Sequence, residues 1–143
     1  DFTSSSTGGA DILAERVTSM LTTGFQGISS TDVLNDPSGY NILNYWVNDD
    51  YIAFGHYTGA VQTTPGSLSL AEGTTSTIDP SGNSLVYCYT GQTSSMITAW
   101  MNVLGYGAKS IKFGVNSLNY DGLYDAGKPN YHGAQDYGYA TGK

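Results

Sequence analysis

The chain has 143 residues, enough for one domain with a single moderate core, and a net charge of −7 with five basic residues, Arg16, Lys109, Lys112, Lys128 and Lys143. So few cations form no basic patch, which argues against nucleic acid or an anionic membrane as a partner. A single cysteine rules out an internal disulfide, and no apolar run approaches a transmembrane span.

Asp1 to Gly9 is rich in Ser, Thr and Gly and reads as a flexible leader, 1–9, ahead of a single domain, 10–143, whose C-terminal extension is rich in Tyr and Gly. Only 12% of residues are charged, and neutral polar and tyrosyl groups abound. That surface suggests an exported protein of the periplasm or cell envelope. The start at Asp1 instead of Met fits a chain whose leader has been removed.

Ala10 to Leu21 places Ile12, Leu13, Val17, Met20 and Leu21 near helical spacing, with Asp11 and Glu15 toward its amino end and Gly24 as a stop. An amphipathic helix packed on the core is expected. Ser30-Thr31-Asp32 offers a capping start, but Pro37 limits Thr31 to Asn35 to one turn. Tyr40 to Val47 reads as a buried strand, and Asn48 to Phe54 as a short helix ending at Gly55. Gly55 to Val61 then forms a loop leading into a short strand. Pro65 to Asn83 is a long neutral connection with one helical turn at Ser69 to Glu72.

The stretch Leu85-Val86-Tyr87-Cys88-Tyr89-Thr90-Gly91-Gln92-Thr93-Ser94-Ser95 begins as a buried strand and passes through the cysteine into a small polar loop. Thr93 and Ser94 are placed to cap a helix whose apolar face runs through Met96, Ile97, Trp100, Met101 and Leu104. A thiol where a strand's carboxyl end curls into a helix amino terminus meets backbone N–H groups that favour an anion. The same environment favours the nucleophilic thiolate form. Burial of Cys88 as a small hydrophobe is the simpler reading, but it gives no reason for the anion cradle that follows.

Gly105 closes that helix, and Ala108 to Phe113 alternates like a strand with Ile111 and Phe113 on one face. Gly114 to Leu118 leads into a region where Tyr120, Tyr124, Tyr131, Tyr137 and Tyr139 cover an edge. Strands alternating with helices predict an α/β fold with a parallel sheet.

Three blocks in order carry a resemblance: the strand near Asn41 to Tyr45, then Gly55-His56-Tyr57-Thr58-Gly59-Ala60-Val61, then the cysteine loop with Leu104-Gly105-Tyr106 at its helix end. From Tyr40 to Leu118 the chain resembles a rhodanese (sulfurtransferase) domain. That family has an Asp-x-Arg after its first main strand, a Gly-His-Ile-Pro-Gly-Ala motif, and a six-residue loop starting with the catalytic Cys. The resemblance implies a central parallel sheet with helices on both faces. It also implies that Cys88 accepts sulfane sulfur from thiosulfate or another sulfur-containing anion, or from a persulfide donor, and passes it to cyanide or a thiol. Tyr89, Thr90, Gly91, Gln92, Thr93 and Ser94 would wrap the sulfur as the substrate-binding loop, and no cofactor is implied. Two departures stand out: Asn44-Tyr45-Trp46 occupies the Asp-x-Arg position, and the loop carries no cation. They motivate an alternative, a rhodanese-fold module that binds sulfur, an anion or a protein without turnover. A cysteine phosphatase or arsenate reductase is the weakest reading, because such loops end in an Arg that clamps the oxyanion.

The remaining reactive residues read as structural. His56 is expected to pack and hydrogen bond, and His132 to have no role. Cys88 and two histidines far apart in sequence make no metal site. Asp121 and Asp125 miss the spacing of a calcium loop. Trp46 and Trp100 are expected in the core.

Overall fold

Five short runs of aliphatic, β-branched and aromatic residues lie side by side as one all-parallel sheet: β1 Gly27–Ile28, β2 Asn41–Tyr45, β3 Val61–Thr63, β4 Ser84–Tyr87 and β5 Ala108–Ile111. The computed structural model describes residues 4–69, 74–80 and 83–132. The helices are α1 Gly9–Thr23, α2 Ser30–Asn35, α3 Asn48–Ala53, α4 Gln92–Leu104 and α5 Tyr120–Asp125; parallel neighbours need crossovers, and α2, α3 and α4 lie in the connections β1–β2, β2–β3 and β4–β5. The strand order is β1-β5-β4-β2-β3, so β4 lies in the centre, with Asn44 opposite Tyr87 on one side and Ser110 opposite Val86 on the other.

Alternation along β2 and β4 divides the core between the two faces of the sheet. Ile42, Leu85 and Tyr87 point to one face with Trp46, where Val33 of α2 and Leu123 of α5 complete the cluster and Tyr51 and Phe54 pack at its margin. Leu43, Tyr45 and Val86 point to the other face, which Met101 of α4 covers together with Leu68, Ile78 and Tyr106. Every residue of β4 is buried, as a central strand covered on both sides must be. The sheet and its helices match the expected α/β architecture.

Three local expectations need correction. Helix α1 has no buried residue, and it packs on α4 where a place on the core was expected. The α4 side chains already cover that face of the sheet, so α1 forms an outer layer with Leu13 and Leu21 exposed, joined by Arg16 Nη1 donating to Leu104 O at 2.9 Å. Strand β5 stops at Ile111. Phe113 leaves the strand alternation with φ of 62° and an exposed ring, because the chain turns there into a short 3-10 helix at Gly114–Ser117. Helix α4 begins at Gln92, one residue before Thr93, and no side chain caps it. Its Ser94 and Ser95 hydroxyls instead donate back to Gly91 O from within the first turn.

Of the leader, Ser4, Ser5 and Ser6 donate hydrogen bonds to the Glu15 carboxylate. Residues 1–3 lie outside the described residues, as do Tyr137 and Tyr139 and most of the helical turn expected at Ser69 to Glu72. A 3-10 turn is present just beyond it, at Thr74–Thr77.

Candidate active site

Cys88 follows directly on β4, at the carboxyl end of the central strand, where ligands of parallel α/β sheets bind. The strand geometry that makes Tyr87 face one layer makes Cys88 face the other, toward the start of α4. Its Sγ receives the Ser94 N–H at 3.4 Å, and the residue is 2% exposed. Gln92 and Thr93, the first two residues of α4, have N–H groups with no intrahelical acceptor. The thiol therefore sits at the positive end of a thirteen-residue helix, with one amide already directed at it.

Two glycines hold the loop in this shape. Gly91 turns the chain into α4 with φ of 90°, and a Cβ there would lie 3.0 Å from the backbone N of Phe113. Gly114 has φ of 52°, and a Cβ there would fall 2.1 Å from Cys88 O. Across that close approach, Val115 N donates to Cys88 O at 3.1 Å and Asn116 N to Tyr89 O at 2.9 Å. The segment after β5 is thus hydrogen bonded to the cysteine loop. Ser94 ties the other side, its Oγ lying 2.8 Å from Ser110 Oγ of β5.

Tyr89 links the loop to distant parts of the chain. Its ring lies 4.7 Å from that of buried Trp46, and its hydroxyl donates to Asp50 Oδ2 at the first turn of α3. Lys128 Nζ reaches the same carboxylate at 2.9 Å. Burial by itself pushes Asp50 up. The Tyr89 hydroxyl and the Lys128 ammonium outweigh it and hold the carboxyl below its ordinary value. The Tyr89 hydroxyl is raised in turn, first by burial and then by its bond to the Asp50 carboxylate. The network gives the buried carboxylate the partners it requires and anchors the residue next to Cys88.

The other loop residues have different surroundings. Thr90, Gly91 and Gln92 line a cavity shared with Lys112 and Phe113, whereas Thr93 is exposed and Ser94 is buried. Lys112 is the cation that the loop sequence lacks, brought alongside by the adjacency of β4 and β5. Its place at the end of the Ala108 to Phe113 run was the available signal, since neighbouring parallel strands end on the same side. Asp50 and Lys128 lie 78 residues apart and had no sequence signal.

His56 is exposed and stacks on Tyr51 with ring centroids 3.9 Å apart, a packing role as expected. His132 lies against Tyr120 at 4.7 Å. Trp46 is buried and Trp100 packs against the core. Among the described residues no group of three His, Cys, Asp or Glu could hold a metal ion, and no helix is long and apolar enough to cross a membrane.

No family model matches the sequence, and no curated protein matches it. Solved structures do. A rhodanese-related protein from Thermoplasma volcanium superposes with a TM-score of 0.57 at 20% identity, covering 73% of this chain and 96% of that one. The fold is rhodanese-like. The polysulfide-sulfur transferase homodimer of Wolinella succinogenes shares it, with a TM-score of 0.50 and 15% identity over 92% of this chain and 94% of the other. A Rhodopseudomonas palustris protein of unknown function, described as a possible tyrosine phosphatase, reaches 0.52 at 18% identity over 90% and 98% of the two chains. These likenesses establish the rhodanese-like architecture and leave the chemistry to the residues of this site.

Proposed function

We propose that the protein is a sulfurtransferase in which Cys88 carries sulfane sulfur as a persulfide. The observation behind this reading is the Cys88 thiol at the carboxyl end of β4, meeting the Ser94 N–H at the head of α4. With thiosulfate as donor, the Cys88 thiolate attacks the outer sulfur. A new S–S bond forms, and the S–S bond of thiosulfate breaks as sulfite leaves with its electron pair. Cyanide or a thiolate then attacks the outer persulfide sulfur, and Cys88 departs as the regenerated thiolate. Negative charge sits on sulfur in both steps, and the Ser94, Gln92 and Thr93 amides with the α4 dipole stabilise it without reorganising.

The near-complete burial of Cys88 favours a second reading, a module that binds a sulfur species or an anion without turnover. A phosphatase finds less support, since residues 89–95 hold no arginine to clamp an oxyanion. Intact-protein mass after brief exposure to thiosulfate or a small persulfide tests the proposal. The expected result is a gain of one sulfur, absent in Cys88→Ser and removed by cyanide with release of thiocyanate. No gain from either donor would reject the sulfurtransferase reading in favour of the binding module.

A further inference from the structure

On the flank of the first turn of α4, facing the end of β5, a cavity of about 310 Å³ is lined by Phe25, Thr90, Gln92, Ser95, Lys112 and Phe113, among others. Cys88 is not part of its wall, so its chemistry is separable from that of the thiol. Both phenylalanines are more than half exposed, Phe25 at 64% and Phe113 at 56%, although the same chain buries Trp46, Tyr57 and Tyr87. Two half-exposed rings on one small concave surface are the kind of apolar exposure that marks a binding site.

The backbone around these rings is shaped to present them. Phe113 is the one non-glycine among the described residues with positive φ, at 62°. Glycine or asparagine takes that conformation more readily, and strain of this kind gathers at ligand sites. The left-handed turn lays Phe113 N against Gly91 and leaves the ring more than half exposed, with Tyr131 stacked against it at 6.4 Å between centroids. Gly27 does not line the cavity but packs against two residues that do. A Cβ there would stand 2.6 Å from Phe25 Cε1 and 2.9 Å from Lys112 Cε, so its bare backbone lets the ring and the lysine stem lie side by side.

Among the described residues Lys112 supplies the only charge in the lining, and no carboxylate opposes it there. On a protein of net charge −7 this is a local site of opposite sign. The Thr90, Ser95 and Ser110 hydroxyls and the Gln92 amide are among the polar groups of the same lining. We propose that this cavity binds a small amphipathic anion: an aromatic or branched aliphatic body lies between Phe25 and Phe113, and one carboxylate or sulfonate meets Lys112. The volume lies at the small end of ligand pockets, which suits a single ring on a short chain. Because Thr90 to Gln92 also belong to the cysteine loop, the bound anion lies against the outer wall of that loop.

The test uses 4-phenylbutyrate and its neutral counterpart 4-phenylbutan-1-ol, titrated into the 15N-labelled protein through the low-millimolar range. Saturable shifts are expected at the amides of Thr90, Gln92, Ser95, Lys112 and Phe113, with the acid bound more tightly than the alcohol. Phe113→Ala should weaken both probes by about tenfold. Lys112→Gln should weaken the acid alone, by roughly two- to fivefold for an exposed ion pair. Both substitutions are at exposed positions, and a dispersed amide spectrum verifies that each variant is folded. No saturable shift, shifts centred elsewhere, or equal binding of acid and alcohol insensitive to Lys112→Gln would each overturn the proposal. Cys88→Ser should bind both probes unchanged, so the outcome is independent of sulfur transfer.

Discussion

Replacing Lys128 with methionine tests how the loop is anchored. The substitution keeps most of the side chain's apolar stem and removes the ammonium from Asp50, which is 6% exposed and keeps only the Tyr89 hydroxyl as a side-chain partner. Breaking a fully buried pair costs 3–5 kcal/mol, whereas exposed pairs contribute about 0–1 kcal/mol. The Lys128 side chain is 35% exposed, so solvent screens part of the interaction, and the remaining tyrosine bond offsets more. A loss of roughly 1.5–2 kcal/mol at pH 7 follows for a buried carboxylate deprived of one of two charge-assisted donors. The pH dependence gives the sharper check. Asp50 is held below its ordinary 3.8 in the folded protein, so its contribution is complete above that pH and is lost as pH falls through the folded value. Without Lys128, burial instead favours the protonated carboxyl, and the variant's deficit should shrink as pH drops below about 4. Urea unfolding of both proteins at pH 7 and pH 3 measures this, with exposed Lys109→Met as the control for net charge. A deficit equal at both pH values, or one no larger than that of Lys109→Met, would refute the reasoning.

Gly114→Ala should cost about 3 kcal/mol or more, because its Cβ would fall 2.1 Å from Cys88 O in a left-handed conformation. Since that contact also holds the loop, amide exchange at Cys88 to Ser94 should accelerate more than at Ile42 to Asn44; uniform acceleration would show that the loop is not specifically coupled to this segment. Phe113→Asn should stabilise the protein by roughly 0.5–1 kcal/mol by relieving the left-handed strain, as read by the urea midpoint. A loss of stability would mean that contacts of the Phe113 ring outweigh the strain.

Local patterns made four of the five strands legible; β1, only Gly27 and Ile28, is too short to carry an alternation and was not expected. The apolar runs at residues 41–45 and 84–87, and the alternation at 108–111, each specify a strand without help from distant residues. The cysteine loop was legible for the same reason, since strand, glycine and helix follow one another directly. What escaped was decided by layering and by long-range pairing. The apolar spacing of Ile12 to Leu21 does mark a helix, but that pattern carries no record that α4 already occupies the sheet face. The Thr93 and Ser94 hydroxyls point to a helix cap there, whereas Gly91, with its left-handed turn, takes the cap position and starts α4 at Gln92 without a side-chain cap. Lys112 and Lys128 were counted as ordinary surface charge. Only the adjacency of β4 to β5 brings Lys112 beside Gln92, and only the return of the chain after α5 brings Lys128 to Asp50.

The position of β1 has a consequence for how the molecule is made. Of the five strands this one leaves the ribosome first, yet it occupies an edge of the sheet and, among the described residues, its one neighbour is β5, some eighty residues later in the chain. A nascent chain that has emerged only as far as β4 already holds β2, β3 and β4 as adjacent strands, with Cys88 at the growing end. It has no partner for β1, and Ser94, when it follows, has as yet no Ser110 to meet. The cysteine loop is therefore completed late in the assembly of the sheet, when β5 arrives to pair with both β4 and β1 and brings Val115 and Asn116 onto the loop.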